Sequence, residues 1–173
     1  TSPALVPVVD HVQRLLGYYG SVHRGAGFAS QVSTDLYESS RQQIGSFVGA
    51  RADDAVVITR NTTDALGLLS HVLPADSTVV HLDVEHHANL LPWRAHHAVV
   101  VLAAPTLAET LQRLEAAVAG SDARLLAVTG ASNVTGEVLP LGRLAELAHR
   151  HGARLVVDAA QLAPHRRLDI AAT

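Results

Sequence analysis

Uninterrupted apolar runs constrain this chain more than any other feature. Residues 55–59, 78–82, 98–102, 124–129 and 153–157 are short and rich in Val and Leu, and they lack the polar alternation of a half-solvated strand. Such runs read as strands buried on both faces. Helix-period segments separate them. Strand and helix in repeated alternation imply a mostly parallel sheet covered on both sides, so the expected fold class is α/β, a three-layer α/β/α arrangement.

Helices are expected over 4–16, stopped by Gly17, and over 34–48, with Gly49 near the end. Others are expected over 62–72, closed by Pro74, and over 88–95. Residues 106–119 place Leu107, Leu111, Leu114 and Val118 on one helical face, and 141–151 ends at Gly152. Residues 18–30 read as a glycine-rich loop. In a parallel sheet, ligands sit beyond the carboxyl ends of the strands. The segments that follow the strands are therefore the ones to question: 60–63, 83–89, 130–136 and 158–161.

Composition narrows the chemistry. The 173 residues fit one domain or a large piece of one, and 48% hydrophobic residues is a globular share. A formal charge of -3 with no basic stripe gives no reason to expect a nucleic-acid or membrane-surface partner. There is no cysteine, hence no disulfide framework. No apolar run reaches membrane-spanning length, and Thr1-Ser2-Pro3 does not read as a signal peptide. All 13 cationic side chains are Arg. These residues therefore supply no phosphate-loop lysine, no lysine base and no lysine to hold a cofactor covalently.

Each segment has a functional and a plain reading. Asn61-Thr62-Thr63-Asp64 follows a strand and opens a helix, where free N–H groups and hydroxyls favour an anion; it also suits a simple N-cap. Asp158 ends a buried run, and a buried carboxylate needs a partner. A protonated pyridine nitrogen would serve, as would a cap or an arginine. His86, within Glu85-His86-His87-Ala88-Asn89, could stack on a flat ring or move protons. A metal site from His81, Glu85, His86 and His87 is disfavoured, because adjacent histidines point apart and no recognised ligand spacing is present. Asn133, in Ser132-Asn133-Val134-Thr135-Gly136, could meet a carboxylate or a phenolic oxygen, or simply form a turn. His23 and Arg24 could meet an anionic substrate or lie in solvent.

In this order the segments resemble the cysteine desulfurase and selenocysteine lyase branch of the class V aminotransferases, enzymes of pyridoxal 5'-phosphate fold type I. The resemblance rests on Tyr18-Tyr19 with Val22-His23-Arg24-Gly25, then Arg60-Asn61-Thr62-Thr63, then Glu85-His86-His87-Ala88-Asn89 with Pro92-Trp93. It continues through Ser132 to Gly136, Ala148-His149-Arg150-His151-Gly152-Ala153 and Val157-Asp158-Ala159-Ala160-Gln161. It implies that His86 stacks over the cofactor ring, Asp158 pairs with its pyridine nitrogen and Gln161 bonds its ring oxygen. It further implies that Thr62 and Thr63 hold the phosphate, that Asn133 lies by the substrate carboxylate or ring oxygen, and that His23 and Arg24 line the substrate side. Asn61 and Ala159 stand where the family often has Gly.

The resemblance also implies a homodimer in the cytoplasm that removes sulfur from L-cysteine, with a sulfur-acceptor protein as a further partner. Amino transfer, epimerisation and β-elimination on another amino acid are alternatives on the same scaffold, and a non-catalytic binding module is another. On this reading residues 1–173 are part of the large cofactor domain. The family's Ser-Gly-His-Lys segment, its small C-terminal domain and its catalytic Cys are expected after Thr173, so the chain alone is expected to be inactive.

Overall fold

The computed structural model describes residues 3–23 and 25–172. They divide into two compact units, Thr1–Val57 and Ile58–Thr173.

The first unit holds helix α1, Val6–Leu16, and helix α2, Phe28–Phe47. Pro7 stands in the first turn of α1, where a missing N–H costs nothing. α2 begins six residues before the expected 34. Serines 30 and 33 read locally as loop, but their hydroxyls are used in tertiary bonds. Gly20 N–H donates to Ser33 Oγ at 2.9 Å, His23 N–H donates to Thr34 Oγ1 at 2.9 Å, and Ser30 Oγ donates to the Ser21 carbonyl. The loop is thus stitched to the first turns of α2. Gly20 permits the approach, since a Cβ there would lie 2.7 Å from the Ala29 carbonyl carbon.

Residues 55–59 are not a strand, contrary to expectation. Val57 and Ile58 are 65% and 42% exposed, and the run pairs with no strand among the described residues. β-propensity without a neighbour to bond does not make a strand.

The second unit carries the sheet. Helix α3 is Thr62–Val72, strand β1 Thr78–Leu82, strand β2 His97–Val101 and helix α4 Leu107–Ala119. Strand β3 is Ala123–Thr129, helix α5 Leu141–Arg150 and strand β4 Arg154–Asp158. All pairings are parallel, in the order β2-β1-β3-β4. The expected helix over 88–95 is instead two 3-10 turns, His87–Asn89 and Pro92–Ala95. Pro92 has no N–H to continue a ladder, which breaks the segment at that point.

The three expected layers are present in this unit. Val80, Leu82, Leu126 and Val128 pack with Leu111, Leu114, Leu144 and Leu147 of α4 and α5. On the opposite face Val79, Leu125 and Ala127 pack with Leu66 of α3, Ala88 and Trp93. The connection after β1 runs on the α3 face, while α4 and α5 cover the other. That change of side follows from right-handed crossovers on a sheet whose order reverses at β1. The crevice of a parallel sheet forms at such a reversal, here between the carboxyl ends of β1 and β3. No helix among the described residues is long and apolar enough to cross a membrane.

Candidate functional site

A cleft of about 250 Å³ opens at that rim, and four segments of the second unit line it. Thr62 and Thr63 come from the start of α3, His86 from the loop after β1, Asn133 from the turn after β3, and Asp158 with Gln161 from the end of β4. Six of the sequence-derived candidates therefore share one cleft. His23 belongs to the first unit. There its Nε2 lies 2.9 Å from Glu38 Oε1, its ring packs edge-on to Tyr37, and its backbone has φ 58°. Arg24 lies outside the described residues.

At the α3 end, Asn61 is the N-cap, and its side-chain oxygen accepts from Asp64 N–H at 2.9 Å. The plain reading of Asn61 as a cap therefore holds. Arg60 folds back onto Asp64, with Nη2 to Oδ1 at 3.1 Å, and is held above its usual pKa chiefly by that hydrogen bond and then by the charge of Asp64. The N–H groups of Thr62 and Thr63 have no intrahelical acceptor, so this edge of the cleft offers backbone donors, hydroxyls and the positive end of the helix dipole.

Asp158 is 6% exposed. Its Oδ1 accepts from Ala160 N–H at 3.0 Å, and its backbone carbonyl accepts from Gly130 N–H at 2.8 Å. It forms no ion pair among the described residues. The side chain therefore makes a local turn, as the plain reading allowed, and keeps acceptor capacity facing the cleft. Its second oxygen is not a buried unpartnered atom and stays open to the cleft, where it can accept from a charged N–H.

The His86 ring is fixed in orientation. Ala88 N–H, which can only donate, points at His86 Nδ1 at 3.1 Å. Nδ1 is thus the acceptor, and the neutral ring carries its proton on Nε2. The turn after β3 is closed by Ser132 Oγ, which accepts from Val134 and Thr135 N–H at 3.2 and 3.1 Å. This presents Asn133 at the cleft edge in an exposed position. The described residues contain no group of three or more His, Cys, Asp or Glu that could hold a metal. His81 Nδ1 instead faces the Leu82 carbonyl at 3.0 Å.

Sequence reasoning passed over Glu85 as a residue in its own right. It is 5% exposed and precedes His86 in the chain. Burial pushes its carboxyl up to about 7, against the opposing pull of N–H bonds from Asn89 and Thr129; the nearby Asp158 charge adds to the rise. No local signal marked it, because its partner Thr129 lies 44 residues away in the sequence.

The class V aminotransferase family matches residues 1–173. A probable cysteine desulfurase of Mycolicibacterium paratuberculosis is 34% identical over 95% of this chain and 26% of its own length. One from Synechocystis is 35% identical over 92% of this chain and 41% of its own. The solved apo cysteine desulfurase of Thermococcus onnurineus NA1 superposes with a TM-score of 0.84 at 32% identity, covering 97% of this chain and 44% of that one. The chain thus spans less than half the length of these relatives.

Proposed function

The chain belongs to the class V aminotransferase family, and from that premise we propose that its cleft is the pyridoxal 5'-phosphate site of a cysteine desulfurase. On this reading residues 1–173 are part of the large cofactor domain. The observation that carries the proposal is a single rim: Asp158 with an oxygen open to the cleft, an oriented His86 and the open start of α3 all line one cleft. An acid, an aromatic ring and an anion-binding edge match the three faces of a flat, cationic, phosphorylated heterocycle.

When bound, pyridoxal phosphate supplies an electron sink for bond breaking at an amino acid. The chain's residues do the rest. Asp158 holds a proton on the ring nitrogen and keeps the ring cationic. His86 covers one ring face and carries an Nε2 proton towards the substrate side. Thr62 and Thr63 bind the phosphate with backbone N–H and hydroxyl groups. Gln161 donates to the ring oxygen, and Asn133 orients the substrate carboxylate or that same oxygen. His23 and Arg24 enter on family resemblance alone, as substrate-side residues. The covalent link to the cofactor needs an amine that these 173 residues do not contain. The chain by itself is therefore expected not to turn over substrate.

The relatives named as cysteine desulfurases favour L-cysteine as substrate; a sulfur-acceptor partner and a cytoplasmic homodimer enter on family resemblance alone. The test is alanine and sulfide release from L-cysteine by the full-length protein loaded with pyridoxal phosphate, with a thiol reductant such as dithiothreitol added to free the transferred sulfur as sulfide. Equal yields of both products support the reading. Pyruvate with ammonia, or transfer of the amino group to a keto acid, would assign a lyase or an aminotransferase instead.

A further inference from the structure

Glu85 lies three residues past the end of β1 and is not part of the cleft lining. Both of its oxygens are nevertheless committed. Oε1 accepts from Thr129 N–H at 2.9 Å, and Oε2 accepts from Asn89 Nδ2 at 2.9 Å. The direction of the second bond is fixed by its neighbour. Trp93 Nε1–H can only donate, and it does so to Asn89 Oδ1 at 3.1 Å, so the amide NH₂ of Asn89 must face Glu85. Asn89 and Trp93 are fully buried.

The partner on β3 explains what the carboxylate replaces. Pairing of β1 with β3 ends at His81↔Ala127. Gly130 N–H points to β4, where it donates to the Asp158 carbonyl, so Thr129 N–H points to the β1 side. The β1–β3 pairing has ended by then and gives it no carbonyl acceptor, so its N–H must be satisfied otherwise. Glu85 supplies the acceptor. Thr129 is also the residue of β3 in register with Asp158.

We propose that Glu85 is the positioning residue of the cleft: its carboxylate clamps the loop bearing His86 to the point of β3 in register with Asp158, and so sets where the imidazole lies relative to the acid. Asn89 and Trp93 hold the carboxylate from the other side. The loop's own bonds, Asn89 N–H to the His86 carbonyl at 2.7 Å and Ala88 N–H to His86 Nδ1, pass that placement on to the ring. This inference rests on the cofactor reading for its consequence, though not for its geometry.

The experiment uses Glu85→Gln and the double variant Glu85→Gln/Asn89→Asp in the full-length protein. The single change keeps the shape but sets an amide NH₂ against the Asn89 NH₂. The double change reverses that contact. The new amide donates to the new carboxylate, Trp93 still has an acceptor, and Thr129 N–H still meets a carbonyl. Two readouts are taken: the ¹⁵N ring resonances of His86 in the ligand-free protein, and the affinity for pyridoxal phosphate. The single variant is expected to displace the His86 resonances and weaken affinity about tenfold, the worth of one buried hydrogen bond. The double variant is expected to return both to near the starting values. Unchanged His86 resonances in the single variant overturn the inference, and so does a double variant that restores neither readout. Should the single variant fail to fold, the double variant decides by the same criterion. If the unsubstituted protein takes up no pyridoxal phosphate, the cofactor reading fails, while the His86 resonances still decide the role of Glu85.

Discussion

Glu85 makes the stability of this protein depend on pH in a direction opposite to that of an ordinary paired carboxylate. Burial raises its pKa from 4.5 to about 7 in the folded chain. Below 4.5 the group is protonated in both states and favours neither. Between 4.5 and 7 the unfolded chain has released the proton while the folded chain still binds it. The unfolded state then holds fewer protons, and stability falls as pH rises. Above 7 both states are ionised and the loss is complete. A rise of this size corresponds to about 3 kcal/mol over the window. The assay is urea unfolding followed by circular dichroism from acid to mildly alkaline pH, with Glu85→Gln as the reference. The other carboxylates titrate in both proteins and cancel in the difference. The advantage of the unsubstituted protein over the variant should shrink by about 3 kcal/mol as pH rises through the window, then level off. A difference that stays flat, or grows with pH, would refute the claim that burial outweighs the two N–H bonds.

Two further perturbations probe the supports of the cleft. Trp93→Phe leaves Asn89 Oδ1 buried without its donor and should cost about 1–3 kcal/mol in urea unfolding, with the Glu85 clamp weakened in step. Gly130→Ala would put a Cβ 2.8 Å from Leu162 Cδ2 and 3.2 Å from Val157 Cγ1, directly behind Asp158. It should cost about 1–3 kcal/mol by overpacking, read as a lower midpoint in the same titration; no change would mean that this side of β4 yields easily.

The sheet was legible because its signal is local. The runs around Val79, Val99, Leu126 and Val156 carry their burial in their own composition, and Leu111 and Leu114 mark the face of α4. The run at 55–59 has the same composition and failed, because a strand needs a neighbour's N–H and carbonyl groups, which no window of sequence reveals. The start of α2 failed for the converse reason. Ser30 and Ser33 weaken a helix locally, and only bonds to Ser21 and Gly20 explain their place. The places of Asp158, Thr62 and His86 at the cleft could be read because the first ends a strand, the second opens a helix and the third lies in the loop after a strand. Glu85 could not. A carboxylate in a loop reads as solvated, and its defining partner, Thr129, is 44 residues away.

On the proposed function, Asp158 holds a charged ring nitrogen in the cleft. This is tested most directly by binding pyridoxal phosphate labelled with ¹⁵N at the pyridine position and recording that nitrogen's chemical shift at mildly alkaline pH. A protonated nitrogen is expected in the unsubstituted protein and a deprotonated one in Asp158→Ala, with turnover falling further than affinity. A shift that is the same in both proteins would contradict it.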